Sequence, residues 1–435
     1  MKTNGRMRSL THIVSPYGLA MISYAFFLFS CLIPPSVYEQ SIHEPDFMFL
    51  DPATILFYTL CVAAFLVGLG LVGWLFPSVS LVDHKLEPRV PPAAFLLIPL
   101  ILCVALSSLS SVLLVKDNPL AIPLLLTQQG TELQGGGGSA LQLKGTFNIS
   151  NYFMTGVIWW TAWRYYQVVI RRRGKFLVKM AMLLAILAVF IASSLNVSRH
   201  LLVLVFVGLV VSQLLRKAFS QQLNWKLVGK TALIFGLGGA FFFFFISALR
   251  GKLDWNSQID SFIGYSSASY NRLAALLHGD LHFEYSGRGI YFGNFLPFNH
   301  TFNRIIPYQQ TMSIPDSLDW WKSEFSSVGM AGLNSTLIFC GAFGEIYNEI
   351  GWMAPLYMLF YGLVCGIIWL WMKGDRIIGI LLYPYCAHCI LFWFATNALF
   401  DQDFVALIVD AVILSIYEFL LISKTHVLIP VLQAD

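Results

Sequence analysis

Four arginines stand where an anion could be held. Arg199 lies in Leu195-Asn196-Val197-Ser198-Arg199-His200, a very short connection between two long apolar runs. Arg250 directly follows the run from Phe241 to Leu249. Arg288 and Arg304 sit further on, in a segment whose acidic and basic residues nearly balance. A guanidinium stays charged and donates in a planar fork, which suits phosphate or pyrophosphate. The competing uses are a snorkelling anchor for Arg199 and Arg250, and carboxylate pairing for Arg272, Arg288 and Arg304. Fifteen aromatic residues fall between positions 249 and 331. Of these, Tyr291, Phe295, Trp320 and Trp321 are the candidates for contact with sugar rings, whose C–H faces are apolar while their edges hydrogen-bond. An interfacial belt or a small core is the plain alternative. No DxD motif or clustered His/Asp set occurs in this segment, so neither a metal nor a cofactor is expected.

The elements that position these residues follow from composition. Of the 435 residues, 57% are hydrophobic and only 11% are Asp, Glu, Lys or Arg. A water-soluble surface needs about a quarter charged residues, so a soluble enzyme, a disordered scaffold and a nucleic-acid module are all excluded. The net charge of +4 reflects membrane orientation and says nothing of a polyanionic partner. The seven cysteines lie mostly in apolar runs, where Cys acts as a small hydrophobe. The pair Cys386 and Cys389 lacks a redox-type turn.

A helix needs about 20 apolar residues to cross the hydrocarbon core. Ten segments qualify: 13–33, 53–76, 93–115, 151–170, 178–195, 200–215, 231–248, 351–372, 377–398 and 404–423. The reading is an all-α polytopic membrane protein of about ten spans, the first retained rather than cleaved. With the N-terminus inside, seventeen Lys and Arg fall in inner loops. They include Arg6, Arg8, Lys85, Arg89, the Arg171–Lys179 cluster, Arg216, Lys217, Lys373 and Arg376. The short outer loops carry only Lys116, Lys144 and Arg199. That asymmetry places both termini in the cytoplasm. Residues 1–248 then hold spans one to seven, 249–350 form a large outer loop, and 351–435 hold three spans and a cytoplasmic tail. Within the outer loop, 330–346 is apolar but interrupted by Asn334, Ser335, Thr336, Gly341 and Gly344, and reads as a re-entrant or interfacial helix. Among the ionisable residues inside spans are Asp410, Glu418 and His388. Asp410 in particular needs a partner.

Three features together resemble the Wzy-type polymerases of bacterial O-antigen and capsule repeat units, within the O-antigen polymerase and ligase group. They are the Ser198-Arg199 turn, the late outer loop with scattered Arg and aromatics, and the run Asn334-Ser335-Thr336 to Gly344-Glu345-Ile346-Tyr347-Asn348-Glu349-Ile350-Gly351-Trp352-Met353-Ala354. Ala354 departs from the second Gly of that family's pattern. The resemblance implies glycosyl transfer at the periplasmic face of the bacterial inner membrane. A glycan on undecaprenyl pyrophosphate would pass to a new lipid-linked repeat unit. Arg199, Arg250, Arg288 and Arg304 would hold pyrophosphate, and His300 or Glu345 would serve as the base for the acceptor hydroxyl. The partners implied are undecaprenyl-pyrophosphate-linked oligosaccharides, membrane lipids and a chain-length regulator. An O-antigen ligase and a flippase of lipid-linked oligosaccharide are the alternatives. Internal repeats, which would favour the flippase, are not found.

Overall fold

The computed structural model describes residues 12–76, 85–117, 146–195, 200–219, 225–249, 254–289, 311, 313, 317–395, 399 and 401–422. These residues are almost entirely helical. Among them are α1 (Pro16–Ser30), α2 (Pro35–Ile42), α3 (Pro52–Leu75), α4 (Pro92–Asp117), α5 (Thr146–Arg164), α6 (Arg172–Leu195) and α7 (His200–Phe219). There follow α8 (Trp225–Leu249), α9 (Trp255–His278), α10 (Ser317–Met330), α11 (Gly341–Ile350), α12 (Ala354–Lys373), α13 (Ile377–Leu391) and α14 (Gln402–Leu421). No strand forms among the described residues, only two isolated bridges.

Seven helical segments are long and apolar enough to cross a bilayer, or eight if α1 and α2, bent by 94° at Pro34-Pro35, count as one. At most 44% of any of these segments is buried inside the protein. The rest leaves large apolar side chains such as Phe29, Trp74, Phe176, Leu237 and Phe419 exposed. Such a belt is stable in lipid and not in water, and the chain is a multi-pass membrane protein. Each of the ten apolar segments contains a helix. Two are marginal as spans by length or polarity: α13 has 15 residues, and α5 opens on the polar run Thr146-Phe147-Asn148-Ile149-Ser150-Asn151.

Lipid tails are as apolar as Leu, so helices associate through close packing. The closest pair is α3 with α12. A Cβ at Gly362 would fall 2.1 Å from Phe65 O, and one at Gly68 would fall 2.2 Å from Leu359 O. The two backbones therefore touch where only glycine fits. A Cβ at Gly208 of α7 would meet the buried Trp159 ring of α5 at 2.1 Å, so α5 and α7 interlock by the same means.

The apolar stretch 330–346 is not a single helix. α10 ends at Met330, and Gly332 and Gly341 take positive φ (both 73°). The chain between them is non-helical, and α11 then runs through a 3-10 turn at Gly351–Met353 into α12. Glycine backbone freedom breaks the stretch at both ends, and Asn334 accepts from Thr336 N through Oδ1 (3.1 Å) and from Leu337 N through O (3.0 Å).

Two ends of the bundle differ in character. At one end the connections 85–91 and 165–171 pair at Leu86 and Val168, and Pro88 pairs with Ile422. Arg89 N donates to Leu421 O (2.7 Å), and Arg216 Nη1 donates to Trp163 O (3.2 Å). This basic end gathers loops that the charge pattern assigns to one side. α12, about 30 Å long, connects it to the end that carries α9 and α11.

Candidate functional site

At the end away from the basic loops, three segments distant in sequence are tied by one carboxylate. Glu44 follows α2, where His43 turns the chain with φ of 59°. Its Oε2 accepts from Arg272 Nη2 (2.9 Å) and from Asn334 N (2.8 Å). Its Oε1 accepts from Arg272 Nη1 (3.1 Å), Asn271 Nδ2 (3.1 Å) and the Tyr38 hydroxyl. The Arg272 and Glu44 side chains are both 0% exposed. Arg272 also donates to Ala268 O (2.9 Å) and Asn334 O (2.8 Å). Asn271 Oδ1 accepts from Phe47 N (2.6 Å), and Asn334 Nδ2 donates to Ile42 O (3.0 Å). A buried charge pair is tolerated when most of its donors and lone pairs are filled; here five donors converge on one carboxylate, while Arg272 Nε has no partner among the described residues. α9 is thereby locked onto the α1–α3 connection and onto the chain before α11. A second tie joins His278 Nε2 to Asp51 Oδ1 at 3.2 Å.

Asp51 also caps α3. Burial alone would push its carboxyl up. Hydrogen bonds from Thr54 Oγ1 (2.5 Å) and Thr54 N (2.8 Å), with the His278 contact, outweigh burial and hold it below the ordinary value.

Arg288 projects from a turn that this platform supports. Gly287 N donates to Asn348 O (3.1 Å), Gly289 N donates to Glu349 Oε2 (2.6 Å), and Ser286 Oγ contacts Asn348 Oδ1. Asn348 and Glu349 at the end of α11 therefore position the turn. The guanidinium of Arg288 lies 4.9 Å from the Tyr285 ring centroid, and its Nη1 donates to Ser313 O (2.8 Å). It is only half-buried, so part of its fork remains open to an anion.

Of the other residues expected from sequence, Arg199, Arg250, Tyr291, Phe295, His300 and Arg304 lie outside the described residues. Trp320 is half-buried in α10; Trp321 follows it in the same helix, its side chain outside the described set. Glu345 is only 4% exposed within α11, which places it poorly for a base that must meet substrate. Among the described residues no three His, Cys, Asp or Glu side chains gather as metal ligands. Cys386 and Cys389 are buried free thiols.

Three polar groups line helix α14. His200 Nε2 and Asp403 Oδ2 are 2.8 Å apart at its first turn. Asp410 is 1% exposed in the middle, and its Oδ2 has no hydrogen-bond partner among the described residues. The sequence calls for a partner to this carboxylate, and among the described residues none meets that oxygen. Instead Gly156 of α5 makes room: a Cβ at that position would fall 2.1 Å from Asp410 Oδ2. Glu418, at the basic end, accepts from Arg164 Nε (2.7 Å), Arg164 Nη2 (3.1 Å) and Trp160 Nε1 (2.6 Å). Arg164 Nη1 donates to Asp375 Oδ2 (2.7 Å) and Gln167 Oε1 (2.6 Å).

The Glu44–Arg272 pair and the Arg164 cluster escape a sequence reading, but each leaves a signal. Arg164 is the one Arg inside an apolar span segment, and such a residue demands an acidic partner. Glu44 stands in an acidic loop without Lys or Arg, opposite an arginine of the large outer segment. Comparison of the chain with protein-family models, curated proteins and solved structures returned no match.

Proposed function

We propose that the protein is a membrane glycosyltransferase that polymerises undecaprenyl-pyrophosphate-linked oligosaccharide repeat units into O-antigen or capsular polysaccharide. It would sit in the bacterial inner membrane with ten spans, both termini cytoplasmic and the α9–α11 platform in the periplasm. The observation that carries this reading is the use made of the run Asn334 to Glu349, one of the three features on which the resemblance to Wzy-type polymerases rests. Asn334 ties the platform to Glu44, and Asn348 and Glu349 hold the turn that presents Arg288. A folded, lipid-adjacent surface with a half-exposed arginine is what a lipid-linked pyrophosphate needs. Separation of the basic loops from this surface supports the orientation.

In the reaction, the acceptor hydroxyl attacks the anomeric carbon of the donor sugar. The bond from that carbon to the pyrophosphate oxygen breaks, and undecaprenyl pyrophosphate leaves with the electron pair. Arginines stabilise the charge that develops on the leaving group. Arg288, with Arg199, Arg250 and Arg304, takes this role. Tyr291, Phe295, Trp320 and Trp321 supply the glycan-contact surface, and a chain-length regulator is the protein partner.

Two experiments test the reading. Deletion of the gene followed by a glycan ladder gel should leave a single repeat unit on the lipid A core. Complete absence of repeat units would identify a ligase instead, and an unchanged ladder would reject both. Reporter fusions after Gly174 and Lys373 should be active as cytoplasmic markers, and a fusion after Ser286 as an exported one. A cytoplasmic signal at Ser286 would overturn the orientation.

A further inference from the structure

The proposed reaction needs a base for the acceptor hydroxyl, and the two residues singled out from sequence do not supply a described, accessible one. Glu345 is buried, and His300 lies outside the described residues. The structure brings together another pair. His200 opens α7 and Asp403 lies in the first turn of α14, with His200 Nε2 2.8 Å from Asp403 Oδ2. The Asp403 side chain is 4% exposed and the His200 side chain 42% exposed. One partner is sunk in protein and the other reaches the surface.

The pair lies at the platform end. α7 and α14 both finish among the basic loops, through Arg216 with Trp163 and Pro88 with Ile422, so their first residues lie at the opposite end. The turn after α13 agrees with this placement: Trp393 O accepts from Ala342 N of α11 (2.8 Å). Five residues before Trp393, His388 sets its ring 5.7 Å from that of His200, edge to face. In sequence, His200 directly follows Arg199, one of the arginines expected to hold pyrophosphate.

We propose that His200 is the catalytic base of the glycosyl transfer and that Asp403 is its positioning residue; this rests on the polymerase reading above. With Nε2–H donating to the buried carboxylate, the imidazole is held in the tautomer whose Nδ1 carries the lone pair. The acceptor hydroxyl gives its proton to Nδ1 as its oxygen bonds to the anomeric carbon. The carbon–oxygen bond to pyrophosphate breaks, and the pyrophosphate keeps the electron pair. The resulting imidazolium faces Asp403, with Asp401 in the same turn, and later returns the proton to water or to the leaving group. His388, Tyr385 and Cys389 are the titratable groups that α13 turns toward the pair. His388 is buried and its Nδ1 has no partner among the described residues, so it bounds the pair without competing for Asp403.

The test uses the full chain in lipid nanodiscs with purified lipid-linked repeat units, scored by ladder formation, with binding of undecaprenyl pyrophosphate measured on the same samples. His200→Gln should lower kcat by about 10²–10⁴, with KM within about twofold, and added imidazole should restore part of the rate. Asp403→Asn should lower kcat with KM held, and Asp403→Glu should recover part of the loss. Retained binding of undecaprenyl pyrophosphate shows that the variants are folded. A His200→Gln enzyme within about threefold of the wild type overturns the proposal, as does a loss that tracks lost lipid binding and ignores imidazole. A wild type that forms no ladder refutes the polymerase reading itself and the role of His200 with it, an outcome distinct from an active wild type with an unimpaired variant.

Discussion

Removal of Arg272 should release the α9–α11 platform from the bundle. Arg272→Ala deletes both nitrogens that donate to Glu44, at 3.1 and 2.9 Å, and that also donate to Ala268 O and Asn334 O. Glu44 keeps Tyr38, Asn271 and Asn334 N as donors, yet remains a carboxylate of 0% exposure without a countercharge. Leaving one member of a buried ion pair uncompensated costs about 3–5 kcal/mol. That is two to three decades or more in the ratio of docked to undocked platform, since each 1.4 kcal/mol is a factor of ten. Arg272→Lys keeps the charge but not the fork; it can reach the carboxylate or one carbonyl, not all four contacts, and should recover less than half of the loss. The pair Glu44→Gln with Arg272→Met removes both charges and should cost less than the two single changes added together, because the penalty arises from the orphaned charge. The assay is thermal unfolding in nanodiscs together with protease cleavage between residues 279 and 316, scored against membrane abundance. An Arg272→Ala protein with wild-type unfolding and cleavage, or single and double changes that simply add, would refute the reasoning.

Three further outcomes are expected. Gly362→Val places branched carbons where a single Cβ already falls 2.1 Å from Phe65 O; α3 and α12 must separate, and protein yield in the membrane should fall severalfold, while Gly70→Ala, with open space around it, should not change yield. Arg164→Met leaves Asp375 and Glu418 buried without their shared cation and should destabilise by about 3–5 kcal/mol, read as a lost unfolding transition, with Arg164→Met/Glu418→Gln recovering part of it. Asp51 is held below its ordinary value, so its contribution is complete above the unfolded value of about 3.9 and is lost as pH falls through the lower folded value. A pH series of unfolding midpoints should therefore drop on acidification below about pH 4, and Asp51→Ala should flatten that drop while costing about 1 kcal/mol at neutral pH through the lost cap.

Composition and apolar run length alone determined that this chain crosses a membrane many times as helices. Backbone groups in hydrocarbon must bond within their own segment, so each of the ten apolar runs carries a helix wherever it is described. The grouping of Arg89, Arg216 and Arg376 toward one end is likewise implicit in the charge pattern, because orientation follows the positions of Lys and Arg relative to the spans. The pairing of residues across distant segments is not implicit. Nothing local to Glu44 indicates Arg272, since the contact joins positions 228 residues apart; it exists only because α9 folds back over the α1–α3 connection. His200 reads locally as the first residue of a span and Asp403 as an ordinary acidic helix start, and packing of α7 and α14 against α13 makes them a pair. The glycine breaks at Gly332 and Gly341 turn one apolar stretch into a loop and a helix, because positive φ at both positions interrupts a pattern that hydropathy alone reads as continuous. Hydropathy reports what solvent each segment prefers. Which charges meet, and which remain open to a ligand, is decided by the relative placement of helices, a matter of close packing and buried-charge compensation that acts between segments.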